Sequence, residues 1–146
     1  MAAWTMLLVD CAQRAWRWRC NMGLVYASTE VRNIHGGEEK YHMPFLVDTG
    51  ATDSVISGNE LDKIGVKREF KRTYELVDGS HLEFDVGYAM LCINGEHTIG
   101  PVIFAGDDTE PLLGITALES IGFIIDPVRQ ILKKTAIPLK IFTKPS

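Results

Sequence analysis

At 146 residues, with 46% hydrophobic and 23% charged residues, the chain has the length of one domain and the composition of a globular one, which excludes two large lobes and a disordered chain. Fifteen basic against 19 acidic residues give a formal charge of −4, which argues against a nucleic-acid binder held by phosphate contacts. Cys11, Cys20 and Cys92 form no even framework and no Cys-x-x-Cys pair, so free thiols in a reducing, cytoplasmic setting are expected, and no apolar run approaches the ~18 residues of a membrane span.

All three tryptophans (Trp4, Trp16, Trp18) and two of the three cysteines lie within the first 20 residues, together with Arg14, Arg17 and Arg19. Wound as a helix, Trp4, Leu8, Cys11, Ala15 and Trp18 share one stripe flanked by the arginines, a pattern suited to a partner-binding, membrane-surface or targeting helix. A loosely ordered extension, or translation from a start upstream of Met22, is the plainer alternative. A secretory signal is not expected, because Asp10 interrupts the apolar stretch and the bases follow it. Residues 1–21 are therefore read as an N-terminal extension and 22–146 as a single domain.

From Met22 onward the pattern is one of short strands with two short helices. Leu24 to Val31 and Tyr41 to Val47 flank the turn-rich Asn33-Ile34-His35-Gly36-Gly37 and predict a hairpin leading into Asp48. Ser57-Gly58-Asn59-Glu60 has the form of a capping box, predicting a helix from about Gly58 to Ile64. Leu82, Phe84, Val86, Tyr88, Met90 and Cys92 occupy successive even positions, the period of a strand. Asp78-Gly79 precedes this run and Asn94-Gly95 ends it, both favourable in tight hairpins, so antiparallel strands are expected over 70–77, 82–93 and 96–105. Ile115, Leu118 and Ile121 have the spacing of one helix face, and a last hairpin is expected around Asp126-Pro127-Val128-Arg129. Phe45 to Gly50 and Thr109 to Gly114 echo each other as apolar strand, glycine turn and helix, consistent with a pseudo-twofold relation.

The chemistry concentrates at Asp48-Thr49-Gly50. A lone Asp-Thr-Gly is a common surface turn, but here Pro44 to Val47 and Ala51 to Ile56 frame it with residues suited to a buried sheet. The segment Phe45-Leu46-Val47-Asp48-Thr49-Gly50-Ala51-Thr52-Asp53-Ser54-Val55-Ile56 resembles the active-site segment of the retropepsin-type aspartic proteases. Leu112-Leu113-Gly114 with the following helix resembles the motif that packs against the catalytic loop in that family. The hairpin tipped by Asp78, Gly79 and Ser80 stands where such proteases carry the flap. Order and approximate spacing match over about Met22 to Pro127, and the extension beyond Pro127 is closer to cellular and prokaryotic members than to the short retroviral enzymes.

The resemblance implies an all-β acid-protease fold, a closed or partly open β-barrel with a flap hairpin and one or two short helices, assembled as a homodimer. It implies an aspartic endopeptidase in which Asp48 of each subunit is catalytic, supported by Thr49 and Gly50. Gly50, Ala51, Thr52, Asp53 and flap residues Asp78, Gly79 and Ser80 would contact a peptide or unfolded-protein substrate, with Leu112, Leu113 and Gly114 as structural support. No metal or cofactor is implied, and the scattered His35, His42, His81 and His97 lack metal-ligand spacing. Dimerisation follows from the chemistry: one carboxylate must take a proton from water while a second donates one, and two close carboxylates share that proton. The sequence departs from the retroviral pattern in its polar, single-glycine flap tip and in placing the loop acid at Asp53 where Thr52 would carry it. A peptide-binding or scaffold domain that keeps the fold without cleaving is the alternative. Lys67, Arg68, Lys71 and Arg72 are read as a solvated strand face, and Asp107-Asp108-Thr109-Glu110 as a loop without calcium-ligand spacing.

Overall fold

The computed structural model describes residues 24–145; the N-terminal extension 1–21, whether helix or loosely ordered segment, lies outside them. The first hairpin joins β1 (Tyr26–Asn33) to β2 (Lys40–Val47), followed by β3 (Ser54–Ser57), α1 (Gly58–Lys63), β4 (Phe70–Glu75), β5 (His81–Ile93) and β6 (Glu96–Ala105). The short β7 (Leu112–Leu113), α2 (Ile115–Ser120), β8 (Phe123–Asp126) and β9 (Ile131–Lys134) complete the order. Seven strands form one sheet in the order β1-β2-β7-β3-β6-β5-β4, and β1 also pairs with β5. That extra pairing closes six strands into a barrel and leaves β4 as an appended edge strand.

The architecture follows from how β5 is shared. From Val86 to Ile93 it pairs with β6, and from Ala89 to Ile93 it also pairs with β1, so this half is a barrel stave. From His81 to Asp85 it pairs with β4 alone and forms a two-stranded arm. Asn94 and Gly95 take φ of 49° and 85°, the left-handed pair that a two-residue hairpin requires between β5 and β6. The core comprises side chains from nearly every stave, with Phe45, Ile56, Leu91, Ile93 and Leu113 fully buried and Leu61 of α1 joining them.

Two local expectations are revised and a third is refined. The even positions of β5 do not line the core throughout: Ala89, Leu91 and Ile93 are fully buried, while Tyr88 is exposed and Met90 and Cys92 are half-buried. Both faces of this half are apolar, so period two identified the strand without identifying its inner face. The capping box of α1 does not form; Ser57 makes no side-chain cap and instead donates to Asp107 Oδ1 at 3.1 Å, while Glu60 pairs with Lys63. The basic cluster Lys67, Arg68, Lys71 and Arg72 is exposed, as a solvated face requires, and three of the four are also engaged by acids, Arg68 with Asp62 and Asp85, Lys71 with Asp85, and Arg72 with Asp53. No helix among the described residues is long and apolar enough to cross a membrane.

Candidate active site

Asp48 sits where β2 leaves the barrel. Leu46 and Val47 pair in parallel with Leu112 and Leu113 of β7, and the Asp48 amide continues that ladder by donating to the Leu113 carbonyl at 3.0 Å. The chain then turns tightly, with Ala51 N donating to Asp48 O at 3.1 Å and Gly50 N donating to Asp48 Oδ1 at 2.9 Å. The carboxylate is therefore aimed by its own loop. Asp48 and Ala51 are half-buried, whereas Thr49, Gly50 and Thr52 are exposed. The echoing segments noticed in the sequence meet here, one supplying the acid and the other its scaffold.

The far side of the loop is held as firmly. Ile115 N donates to Ala51 O at 2.8 Å and Thr116 N to Thr52 O at 3.1 Å, so the first residues of α2 take up the loop carbonyls. Gly114 N donates to the buried Ser54 hydroxyl at 3.1 Å. A Cβ on Gly114 would stand 2.6 Å from Thr52 O and from the Asp53 carbonyl carbon, which is why this position admits no side chain. Leu112, Leu113 and Gly114 thus fix the Asp48 loop through backbone contacts.

Asp53, the second acid of the loop, is only 3% exposed. Its Oδ2 accepts from Arg72 Nη1 at 2.8 Å and from Tyr74 Oη at 2.6 Å, both on β4. Burial, and secondly the hydrogen bond to this carboxylate, push the Tyr74 phenol up to about 12, so it stays a neutral donor across the ordinary pH range. Sequence reasoning missed Arg72 and Tyr74. Their only signal was the i, i+2 spacing that puts them on one face of a strand.

Asp78, Gly79 and Ser80 form the tip of the β4–β5 arm, away from the barrel's hydrogen-bond network. Leu76 N donates to Ser80 O at 2.8 Å and Gly79, with φ of 83°, donates to Leu76 O at 2.9 Å. Asp78 Oδ1 accepts from Ser80 N and from the Ser80 hydroxyl, which lowers the Asp78 carboxyl below its usual range. All residues from Glu75 to Glu83 are exposed, and Val77 entirely so.

Among the described residues, no group of three or more His, Cys, Asp or Glu side chains is placed to hold a metal ion. A family model described as "gag-polyprotein putative aspartyl protease" matches residues 36–120, more than half of the chain, and spans Asp48, the β4–β5 arm and Leu112 to Gly114. No curated protein matches. Among solved structures, a simian foamy virus protease determined in solution is similar, with a TM-score of 0.46 and 17% identity over 64% of this chain and 90% of that one.

Proposed function

The chain belongs to the gag-polyprotein aspartyl protease family, and on that premise we propose that it is an aspartic endopeptidase acting as a homodimer, with one Asp48 contributed by each subunit. The observation that carries this is the Asp48 loop itself, a half-buried carboxylate oriented by Gly50 N and locked to Leu113 and α2. Such rigid presentation is what a general acid or base needs and what an incidental surface turn lacks.

One Asp48 carboxylate takes a proton from water as the oxygen adds to the scissile carbonyl carbon, and the other, protonated, donates to the carbonyl oxygen. The tetrahedral diol collapses as the protonated Asp48 gives its proton to the amide nitrogen, the other Asp48 takes a proton from a diol hydroxyl, and the C–N bond breaks to release acid and amine, which leaves one proton on the pair again. In this reading the exposed Thr49 bonds across the twofold axis, and Gly50, exposed, and Ala51, half-buried, contact the extended substrate. Substrate binding as an added strand uses backbone hydrogen bonds for affinity and alternate pockets for selectivity.

The C-terminal tail supports self-association. Thr135 N donates to Gly122 O at 2.7 Å and holds the root of the tail, beyond which Leu139, Ile141 and Phe142 are 80–84% exposed. Apolar side chains of that size gain by docking, and an isologous contact between two copies is the commonest way to provide it. The test compares wild type with Asp48→Asn on unfolded protein and peptide libraries at acidic and neutral pH, with sedimentation to follow assembly. Cleavage by a wild-type dimer and none by an equally dimeric Asp48→Asn supports the proposal. A dimer in which neither protein cleaves assigns the fold to binding instead.

A further inference from the structure

Asp53, Arg72 and Tyr74 lie 19 and 21 residues apart in sequence yet converge on one oxygen, Asp53 Oδ2. A buried lone carboxylate is costly, so its partners are held tightly once it is in place. Both partners come from β4, which among the described residues pairs in the sheet with β5 alone, at the end of the strand order. Of the other side-chain ties of β4, Tyr74 against Phe84 and Lys71 to Asp85 stay within the arm, Arg72 lies over Phe70 on β4 itself, and Phe70 against Tyr88 reaches the barrel half of β5 at the root of the arm. The Asp53 contacts instead reach the segment whose next residue, Ser54, accepts from Gly114 N. The flap strand is thereby fastened to the frame that holds Asp48.

We propose that Asp53, Arg72 and Tyr74 form a clamp that sets the pose of the flap over the substrate cleft and places its hinge just beyond Tyr74. This deepens the protease assignment and rests on it for the substrate. The three are positioning residues: in the clamp, the acid at 53 serves substrate by holding the lid rather than by touching the peptide. With positions 72 and 74 fastened, the segment free to open and close is the exposed Glu75 to Glu83. A strand entering the cleft then meets an arm already held near its closed height, so less ordering is left to binding.

Amide hydrogen exchange on the full-length protein, paired with steady-state cleavage of a peptide substrate, tests the clamp. In Tyr74→Phe and in Arg72→Met, exchange across β4 and the flap half of β5 is expected to quicken about tenfold while β6 keeps its wild-type rates, since a lost charge-assisted bond opens only the region it holds. KM is expected to rise about three- to tenfold with kcat within about twofold, the pattern of lost binding rather than lost chemistry. Arg72→Lys, which retains one charged donor, should restore most of both values. Unchanged flap exchange, or a uniform rise over flap and β6 together, would overturn the clamp. Exchange decides the matter even if wild type cleaves no peptide, an outcome that removes the protease assignment and leaves the clamp standing or fallen on its own.

Discussion

The Asp48 loop and the β4–β5 arm, the floor and the flap of the proposed cleft, are built in opposite ways from the same short chain. The floor gathers β2, β7 and the first residues of α2 around Asp48, with backbone donors meeting Leu113 O, Ala51 O and Thr52 O and with Phe45 and Leu113 fully buried behind it. The flap is a two-stranded arm with exposed residues from Glu75 to Glu83, joined to the floor through the Asp53 carboxylate. The proposed protease reading asks for precision where protons would move and compliance where a peptide would enter, and the difference in burial suits that division.

The contrast can be broken most severely at the carboxylate. Asp48→Asn should reduce cleavage by about a thousandfold or more, by removing general acid–base catalysis, while leaving the folded state intact by circular dichroism. Next in size are substitutions that disturb the floor. Phe45→Ala should cost about 3–5 kcal/mol in urea denaturation, the usual penalty for emptying a buried phenylalanine site. Gly114→Ala forces the loop away from a contact of 2.6 Å, so it should cost about 1–3 kcal/mol and about a hundredfold in kcat, because catalytic groups displaced by an ångström lose orientation.

A smaller effect separates floor from flap by pH. Tyr74 is raised to about 12, first by burial and then by the Asp53 carboxylate. A phenol whose folded value lies above its unfolded value near 10 stabilises the fold fully below about pH 10 and loses that contribution as pH rises through about 12. The stability advantage of wild type over Tyr74→Phe, read from urea midpoints, should therefore shrink across that window and be constant below it. Smallest of all, Val77→Ser at the fully exposed flap tip should change stability by no more than about 0.5 kcal/mol.

Much of this division was legible in the sequence, and what was not has identifiable causes. The strands, both helices and the Asn94-Gly95 turn are local patterns, and the Asp48 loop is framed by residues whose burial is evident from hydrophobic runs. The Ser57 cap was misassigned because the serine had a competing acceptor, Asp107, which lies 50 residues away and is brought near only by the parallel pairing of β3 with β6. The inner face of β5 was hidden because Tyr88, Met90 and Cys92 are as apolar as Ala89, Leu91 and Ile93. Arg72 was read as part of a solvated basic face, since nothing local to β4 announces that Asp53 is buried beneath it. Long-range polar pairing is what hydrophobic periodicity does not encode.

The central claim, that two Asp48 side chains from two subunits make one catalytic unit, is tested most directly by mixing subunits. Wild type and Asp48→Asn are combined in varying proportion, exchanged to equilibrium, and assayed for peptide cleavage at fixed total protein. If each active unit needs both acids, activity should follow the square of the wild-type fraction, so that an equal mixture retains about a quarter of the all-wild-type rate. Activity falling in direct proportion to the wild-type fraction, to about half in the same mixture, would show that each Asp48 acts without the other and would contradict the shared site.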